Sequence, residues 1–467
     1  MDIRFAPHNL HLENPDHFFF QDPHLKVLSR QAMVWDFPLI YRLPVQLPGI
    51  YTVSGGRQVG KTTLLKQWMA HLLKSGVHPH AIAFFSGELI DDQHALVRLI
   101  GDHLQPAGPA GMRFVIIDEV TYISGWEKGV KYLADSGALE DVVLVLSGSD
   151  MVIIREARMC FPGRRGMADQ VDFQVFPLGF NEVVTLSGTL TAAEREALMA
   201  PVPQFNAEVM ERLFAAFNNF LVHGGFLTAI NALAGEGRIP PAIFAVYSDW
   251  IRGDMIKRRK QEHYLRQVLQ AVLRRLGSQV TWNALCQDLA IDHPQTVADY
   301  IGLLESMDVV YVQPALQEDK LTAAPKKARK VMFTDPFILH AVNAWLNPAK
   351  DPFTERLRPF LDSPEDCGKL VEACVIGLYR RRFPTYYIKA KGEVDVAYVD
   401  GSGFYPIEIK WTGQLRPGDL KQIGKYANSL ILTKTRTPGR IQQIATEPLP
   451  LHLFRLGQDP QNGVGPR

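Results

Sequence analysis

The sequence predicts an α/β protein built from several domains, and three observations support this class. Its 467 residues, 46% of them hydrophobic and 21% charged, leave room for roughly three domains of about 150 residues each. Near residue 50 an apolar strand, a glycine-rich loop and an amphipathic helix follow one another, which is typical of a parallel sheet covered by helices. Near residue 400 two alternating strands flank a hairpin signal, so we expect a second sheet in the tail.

The overall composition excludes a strong electrostatic field over the whole surface. There are 50 basic and 49 acidic residues, which give a formal net charge of +1, so any contact with nucleic acid must be local. The sequence has no basic leader followed by an apolar core, and no apolar run approaches the roughly 18 residues of a spanning helix. We therefore expect a soluble, cytoplasmic protein without a membrane partner. Four widely spaced cysteines agree with a reducing compartment: Cys160, Cys286, Cys367 and Cys374.

The first element combines a strand, a loop and a helix in the order that phosphate binding needs. A buried strand is expected at 50–53, and apolar residues at helical spacing continue from Leu64 to Leu73. Between them the spacing is G-x-x-x-x-G-K-T, in which backbone N–H groups and a helix N-terminus surround phosphates. Lys61 would reach the β- and γ-phosphates of ATP, Thr62 would bind Mg²⁺, and Thr63 would lie near the α-phosphate. The alternative is a glycine-rich turn before a core helix. The expected nucleotide-binding residues are Gly55, Gly56, Arg57, Gln58, Val59, Gly60, Lys61, Thr62 and Thr63.

The second element is an apolar strand that ends in two acids. Phe114 to Ile117 form a short buried run, and Asp118 and Glu119 follow it directly. Asp118 would hold Mg²⁺ through its water shell, while Glu119 would polarise the attacking water. A surface strand can also end in two acids, but a phosphate-binding loop in the same chain favours the catalytic interpretation.

The third strand, 142–146, is followed by candidates for two further roles. Ser147 and Ser149 lie at its C-terminal end, where ligands of open α/β sheets gather, and Ser149 is the preferred sensor of the γ-phosphate. A plain turn is the alternative. Beyond it, Arg164 and Arg165 stand on a glycine-bounded loop and could reach a phosphate in their own or a neighbouring subunit of a homo-oligomer. A solvated loop would explain the two arginines equally well.

Six segments in this order carry a family resemblance: GGRQVGKTTLLKQ, FVIIDEVTYISGWEKGVKYLAD, VLVLSGS, GRRG, FPLGFNEV and VHGGF. The chain resembles the prokaryotic AAA-type ATPases whose C-terminal half is a domain of unknown function, and the resemblance covers nearly its whole length. It implies an ATP-binding domain with a P-loop parallel-sheet core. In the tail it implies a restriction-endonuclease-like α/β region.

The middle of the chain predicts helices and then a winged-helix-like order. A helical lid or connector is expected up to Lys260, and 263–316 suggest three helices and a short apolar hairpin. The candidate recognition helix around Tyr300 offers no arginine or lysine, which disfavours base-specific reading of DNA. We expect it to pack domains or subunits instead. The basic run from Pro325 to Lys330 is a better electrostatic candidate for DNA, with a solvated loop as the alternative.

The tail contains a constellation of carboxylates. Strands at 392–399 and 404–411 flank a turn centred between Gly401 and Ser402, a register that would place Asp395 opposite Glu408 and Glu393 opposite Lys410. Two like charges facing each other destabilise a sheet, so a divalent cation between Asp395 and Glu408 is expected. Lys410 would then lie near the attacking water.

A fourth acid completes a nuclease-like pattern. Glu372 is the only charged residue in the helical run from Leu370 to Leu378, and a lone carboxylate there is costly unless it is paired or metal-bound. Together the acids and the lysine match the E…D…E-x-K pattern of the PD-(D/E)XK nuclease superfamily, which the tail resembles. The alternative is a salt-bridged relic of that fold. The expected catalytic residues of the tail are Glu372, Asp395, Glu408 and Lys410.

These elements predict five regions: an N-terminal segment (1–40), a P-loop AAA-type domain (41–185), a helical connector (186–260), a winged-helix-like domain (261–330) and a nuclease-like domain (331–467). The leading hypothesis is an ATPase whose nucleotide state controls a metal-dependent nuclease-like domain that acts on DNA. The main alternative is a signalling or scaffold ATPase whose tail serves only as a binding module. A plain DNA-binding regulator does not explain the phosphate-binding loop.

Overall fold

The computed structural model describes residues 2–104, 111–149, 157, 159–287, 289, 291, 293–401, 403–412 and 420–457. The chain forms two compact units, Met1–Phe176 and Pro177–Arg467. Each unit has its own sheets and helices.

The first unit is built on a five-stranded parallel sheet with the order β2-β3-β4-β1-β5. Its strands are buried β-branched and aromatic runs, as expected of a parallel sheet covered on both faces. The register aligns the carboxyl ends of β1, β3 and β4, where the sequence places its candidate site residues. The strands are β1 (Gly49–Ser54), β2 (Ile82–Ser86), β3 (Arg113–Asp118), β4 (Val142–Gly148) and β5 (Asp172–Gln174).

Helices connect and cover these strands. The helix after β1 begins at Lys61, and its apolar residues, among them Leu64 and Trp68, are fully buried. Ser75 is its C-cap. The helices of this unit are Phe18–Gln21, Pro23–Leu28, Lys61–Lys74, Gln93–Leu104 and Trp126–Asp135.

The N-terminal segment covers the edge strand β2. The sequence of this segment has no periodic pattern of apolar residues that would predict this contact. The side-chain amide of Asn9 donates to the carbonyl of Phe84 at 2.8 Å and accepts from its backbone N–H at 2.8 Å. Nε2 of His11 donates to the carbonyl of Ile82 at 3.1 Å. The segment therefore satisfies backbone groups that an open edge strand would leave exposed.

The second unit starts with a series of helices. Within the described residues no single helix is long and apolar enough to cross a membrane. One pair, Ala207–His223 with Leu227–Glu236, passes that test together but is bent by 115°. The helices are Phe180–Leu186, Ala192–Met199, Ala207–His223, Leu227–Glu236 and Pro241–Lys257.

Three helices and a small antiparallel sheet follow, and this sheet corrects one prediction. The helices are Glu262–Arg274, Trp282–Gln287 and Pro294–Ser306. The sheet has the order β6-β10-β7 and consists of β6 (Gln279–Val280), β7 (Val310–Pro314) and β10 (Arg329–Phe333). The chain between β7 and β10 contains two short strands, β8 (Leu316–Gln317) and β9 (Thr322–Ala323), which pair with each other in a separate two-stranded sheet.

The sequence predicts that the basic run 325–330 is exposed, either as a contact for DNA or as a solvated loop. This prediction is wrong for the last residue of the run, Lys330. Lys330 lies inside β10 and is only 1% exposed. The apolar residues Val331, Met332 and Phe333 that follow it extend the strand into the interior, and carboxylates compensate the buried lysine. A domain boundary at residue 330 would therefore cut through a strand.

The tail sheet has six strands in the order β11-β12-β13-β14-β16-β15. Strands β11 to β13 are antiparallel, whereas β13, β14 and β16 are parallel. Val396 pairs with Ile407 and Asp400 with Gly403, the register expected from a turn between Gly401 and Ser402; Ser402 itself lies outside the described residues. The strands are β11 (Thr385–Lys389), β12 (Glu393–Asp400), β13 (Gly403–Lys410), β14 (Leu430–Thr433), β15 (Gly439–Ile441) and β16 (Ile444–Pro448).

Helices surround this sheet. They are Pro336–Leu346, Arg358–Asp362, Pro364–Tyr379, Leu420–Ile423 and Leu449–Gly457, with a π-helical turn at Phe353–Leu357. The helix Pro364–Tyr379 carries Glu372 and contacts β12 and β13, so that this acid belongs to the same region as the acids of the hairpin.

Candidate functional site

The glycine-rich loop between β1 and the helix Lys61–Lys74 has little space for side chains. A Cβ atom on Gly55 would lie 2.2 Å from the carbonyl oxygen of Val175, and one on Gly60 would lie 2.8 Å from the Phe37 ring. Gly60 also has a φ of +92°, a conformation that favours glycine. Sterics therefore require both glycines of the motif.

Lys61 is the centre of this site. It is buried, and its ammonium donates to the carbonyls of Gly55 at 3.1 Å and Gly56 at 3.0 Å, and to Oγ of Ser149 at 3.2 Å. Its Nζ also lies 3.6 Å from Oε1 of Glu119. Burial lowers the pKa of Lys61, although the neighbouring carboxylates oppose this shift. The loop thus surrounds the ammonium group of Lys61, a positive charge that binding of phosphates requires.

Asp118 lies beside the helix N-terminus. Its Oδ2 accepts a hydrogen bond from the hydroxyl of Thr62 at 2.7 Å, and its Oδ1 accepts one from Ser147. Thr62 and Asp118 are the two residues whose side-chain oxygens the sequence predicts for Mg²⁺ at this site. A carboxylate and a hydroxyl suit Mg²⁺, which takes few protein ligands and keeps several waters.

Glu119 is fixed from both sides. Ser149 donates to its carboxylate through the backbone N–H, at 3.1 Å from Oε2, and through its hydroxyl to Oε1. The backbone N–H of Glu119 donates to Oγ of Ser147 at 3.0 Å. Its φ of +55° is left-handed, which is uncommon for a residue other than glycine and typical of functional sites.

The remaining loop residues lie around this cluster. Arg57 is half-buried and donates to the hydroxyl of Tyr122 at 2.5 Å. Gln58 has a left-handed φ of +63°, Val59 is buried, and Thr63 lies in the first turn of the helix that begins at Lys61. The roles of these residues in nucleotide binding stay predictions.

The two candidate finger arginines have different surroundings. Arg165 donates to the carbonyls of Ile50 at 3.1 Å and Val171 at 2.9 Å, and it pairs with Asp172 at 2.6 Å. It braces β1 against β5, which is a structural role within its own subunit. Arg164 is partly exposed and pairs with Asp135, so its finger role stays a prediction.

Comparison with known proteins identifies this part of the chain. Residues 48–184 match the family model of an AAA domain. This part of the chain is therefore similar to AAA domains, and its glycine-rich loop has the P-loop spacing. Residues 215–349, which follow the AAA domain, match a second family model, described as a domain of unknown function, DUF8612.

Similarities over longer stretches are weak. An uncharacterized protein of Haemophilus influenzae is 23% identical over 274 residues, which are 56% of this chain and 61% of that protein. The chain thus spans less than two thirds of this relative's length. The Walker-type ATPase PABY2304 of Pyrococcus abyssi is 13% identical at a TM-score of 0.40, over 63% of this chain and 90% of its own. The Orc1 protein of Aeropyrum pernix in complex with DNA is 12% identical at a TM-score of 0.29, over 74% and 97%. These values are too low to transfer a function.

The second unit contains a separate charged cleft of about 640 Å³. Carboxylates and lysines dominate its lining, a combination that suits a cation together with phosphate groups. The lining residues are Lys391, Gly392, Glu393, Asp395, Glu408, Lys410, Lys421, Gln422 and Lys425.

Glu408 is the acid of this cleft whose carboxylate has the least complete set of hydrogen-bond partners among the described residues. Its Oε1 pairs with Nζ of Lys410 at 2.8 Å, but its buried Oε2 has no hydrogen-bond partner in the described part of the chain. Burial and the charge of Asp395 raise the pKa of Glu408 to about 8, against the opposing effect of Lys410. Oδ2 of Asp395 accepts from the backbone N–H of Ile409 at 2.8 Å.

These residues fit a hydrated divalent cation better than a closed metal cage. Among the described residues no group of three or more His, Cys, Asp or Glu side chains could hold a metal ion. Mg²⁺, however, is commonly bound by one or two carboxylates and keeps water or substrate oxygens as its other ligands. The orphaned oxygen of Glu408, with Asp395 nearby, meets that need.

Glu372 has a partner that the sequence analysis missed. Oε1 of Glu372 lies 2.7 Å from Nζ of Lys330, and Oε1 of Glu393 lies 2.5 Å from the same atom. Burial and Asp395 raise the pKa of Glu372 to about 7, although Lys330 opposes this. Burial by itself lowers the pKa of Lys330, because it disfavours the charged ammonium. The carboxylates of Glu372, Asp395 and Glu393 outweigh this effect, so the pKa of Lys330 is raised overall.

The expected pairing of Glu393 with Lys410 needs correction. The paired register of β12 and β13 ends at Val396 and Ile407, whereas the start of β12 is paired with β11, where Glu393 faces Lys389. Glu393 is therefore free to turn to Lys330, and Lys410 pairs with Glu408 on its own strand. The only hint in the sequence is that Lys330 directly precedes an apolar run.

Proposed function

We propose that the protein is an ATP-hydrolysing AAA-type ATPase whose tail is a divalent-cation-dependent nuclease acting on DNA. The observation that most supports the tail activity is the buried Oε2 atom of Glu408, which has no hydrogen-bond partner among the described residues and lies in a cleft with Asp395 and Lys410. Burial of a carboxylate oxygen without a partner is costly, and a bound cation removes that cost.

In the ATP site each side chain has a distinct proposed role. Lys61 would exchange its bonds to the loop carbonyls for bonds to the β- and γ-phosphates. Mg²⁺, when bound, neutralises charge on the phosphates. Thr62 and Asp118 would hold this ion, and Glu119 would take a proton from the attacking water. Ser149, which contacts both Lys61 and Glu119, would sense the γ-phosphate.

Two substitutions test the ATP site. Lys61→Ala removes the buried ammonium and should abolish high-affinity ATP binding, because no other cation contacts the loop carbonyls of Gly55 and Gly56 among the described contacts. Glu119→Gln keeps the size of the side chain but not its basicity, so it should retain ATP binding and lower turnover by about 100-fold or more. Binding by calorimetry and phosphate release measure the two effects. Undiminished hydrolysis in both variants would contradict the assignment.

In the tail, Asp395 and Glu408 would hold the cation and Lys410 would lie near the attacking water. The four lysines of the cleft would attract the phosphodiester backbone, since phosphate contacts from lysine are independent of sequence. Among the described residues that line the cleft there is no aromatic ring on which a base could stack. We therefore infer a backbone-directed activity with little preference for base sequence.

The cleavage hypothesis is tested on the full-length protein with Mg²⁺ or Mn²⁺, single- and double-stranded DNA, and with or without ATP. Asp395→Asn and Glu408→Gln should each reduce cleavage by at least about 100-fold and leave ATP binding unchanged. Asp400→Asn is the matched control, because Asp400 lies on the same strand at the exposed hairpin end. The proposal fails if the wild type cuts no DNA under any of these conditions.

The segment from Glu262 to Phe333 has the element order of a winged helix, and we infer that it acts as a packing arm. Its candidate recognition helix Pro294–Ser306 carries no lysine or arginine, which disfavours contact with the DNA groove. Its sheet instead presents Lys330 to the acids of the tail. DNA contact is therefore proposed for the lysines of the cleft.

A second candidate function is a regulatory or scaffold ATPase whose tail does not cut. The ion pairs of Lys330 with Glu372 and Glu393 favour it, because they compensate two of the acids without a metal. In that case the cleft would bind nucleic acid with the same affinity in the wild type and in Glu408→Gln, and neither protein would produce cleavage products.

A further inference from the structure

A row of three polar side chains crosses the small antiparallel sheet. Lys330 on β10 is directly opposite Gln279 on β6 and Gln313 on β7. Directly opposed residues of antiparallel strands share one face of the sheet. The row Gln279–Lys330–Gln313 therefore forms a single polar ridge on this sheet.

The ridge contacts the start of the acidic strand β12. The side-chain amide of Gln279 donates to Oε2 of Glu393, and that of Gln313 donates to the backbone carbonyl of Asp395 at 3.0 Å. Between them Nζ of Lys330 reaches Glu393 at 2.5 Å and Glu372 at 2.7 Å. Three strands of the small sheet thus contact the start of β12, and the middle strand also contacts Glu372 on the helix Pro364–Tyr379.

Lys330 bridges two carboxylates from a buried position, although the side chain of Glu393 is partly exposed. Lys330 is 1% exposed, and its Nζ lies 5.6 Å from the centroid of the Tyr387 ring. A buried ion pair of this kind adds little net stability compared with an apolar replacement, so stability alone is a weak explanation for it. An ammonium that joins two acidic side chains does the electrostatic work of a bound cation.

The charges of the cluster indicate how many cations it can take. Four carboxylates, those of Glu372, Glu393, Asp395 and Glu408, are linked by the ion pairs or charge interactions of two lysines, Lys330 and Lys410. Two negative charges remain when all six groups are ionised. One divalent ion would neutralise them, and the orphaned Oε2 of Glu408 marks where it would bind.

We propose that Lys330 stands in for a second cation in the carboxylate cluster and thereby limits it to one divalent ion, held by Asp395 and Glu408. This inference rests on the proposed function of the tail. Lys330 is a positioning residue: it acts through Glu372 and Glu393, which it keeps engaged away from the ion. Removing its charge frees these two acids for a second ion.

The test counts bound Mn²⁺ by calorimetry on the full-length protein, without nucleotide. The double variant Asp395→Asn/Glu408→Gln is the reference that accounts for binding elsewhere, including the AAA domain. The wild type should bind one ion more than this reference, and Lys330→Met should bind two more. Lys330→Arg keeps the positive charge and should behave like the wild type.

The outcomes separate this inference from the function on which it rests. A folded Lys330→Met that binds only one ion more than the reference overturns the role of Lys330 and leaves the cation site intact. A wild type that binds no more than the reference overturns the cation site itself, and the inference with it. If Lys330→Met does not fold without metal, it is refolded in excess Mn²⁺ and its bound manganese is counted. Two ions per chain above the reference support the proposal, whereas one ion, or failure to fold even in Mn²⁺, contradicts it.

Discussion

At the scale of single residues, two serines at the end of β4 each donate a hydrogen bond to a different acid of the candidate site. Ser147 donates to Asp118, and Ser149 donates to Glu119. Ser147 lies in β4, and Ser149 directly follows Gly148, the last residue of that strand. Each acid is therefore oriented before any nucleotide binds, which reduces the reorganisation that hydrolysis would require.

A buried histidine gives a prediction on pH dependence. Nε2 of His340 donates to the carbonyl of Leu221 at 2.8 Å, and burial lowers its pKa to about 4, against the opposing effect of that bond. In the unfolded chain the pKa is about 6.5. Between these values the unfolded chain binds a proton that the folded protein excludes, so stability is complete above about pH 6.5 and is lost as the pH falls towards 4.

His340→Gln should flatten this dependence. The free energy of unfolding should fall less steeply between pH 6.5 and 4, by up to about 1.4 kcal/mol per pH unit, because one fewer proton is bound on unfolding. Urea denaturation at several pH values measures the slope. His24→Gln, a substitution of an exposed histidine, is the control. Equal slopes for His340→Gln and the wild type would show that this histidine does not titrate as inferred.

At the scale of elements, the N-terminal segment acts as a substitute for a sixth strand. Asn9 is 2% exposed and closes two hydrogen bonds with the backbone of Phe84 on the edge strand β2. The same segment contributes Asp22, which pairs with the buried Lys66 at 3.1 Å on the helix that follows the phosphate-binding loop. The segment is thus tied to a strand and to a helix of the AAA domain.

Asn9→Ala should destabilise the first unit by about 3 kcal/mol. The substitution leaves a buried N–H and a buried carbonyl of Phe84 without partners, and each such group costs roughly 1–3 kcal/mol. Asn14→Ala is the matched control, since Asn14 lies in the same segment and bonds only to the exposed His17 among the described side-chain contacts. Urea unfolding measures both variants, and equal losses of stability would argue against the edge-capping role.

The elements also show which parts of the site could be predicted from the sequence. The proximity of Lys61, Thr62 and Asp118 could, because the first two lie in one contiguous motif and Asp118 ends a strand of the same parallel sheet. The N-terminal segment could not, since its short 3₁₀ turns have no apolar period. Lys330 could not either, because its partners lie 42 and 63 positions away and only tertiary packing brings them together.

At the scale of the whole molecule, the chain combines a region that matches an AAA domain with a second unit that carries its own charged cleft. The AAA-domain resemblance raises the question of assembly, because an arginine finger acts on the nucleotide of a neighbouring subunit. Arg164 is the remaining candidate, since its pair with Asp135 is partly exposed and Arg165 is engaged between β1 and β5.

Mixing two inactive variants tests this arrangement. Arg164→Ala lacks the proposed finger and Lys61→Ala lacks the nucleotide site, so a mixed oligomer would contain some complete sites and should regain part of the ATPase activity. Phosphate release from the mixture is compared with that of each variant alone. Light scattering first establishes that both variants assemble. Absence of rescue in assembled mixtures would indicate that Arg164 acts within its own chain or not at all.

The ridge Gln279–Lys330–Gln313 has a practical consequence for dissecting the chain into fragments. A fragment beginning at residue 331 would follow the boundary suggested by the sequence, yet it would leave the strand β10 without its first two residues and Glu372 and Glu393 without their lysine. A fragment ending at residue 330 would carry a lysine that has lost both of its acids. Expression vectors for the isolated cleft should therefore start before Glu262, so that all three strands of the small sheet are translated together with the acids that they contact.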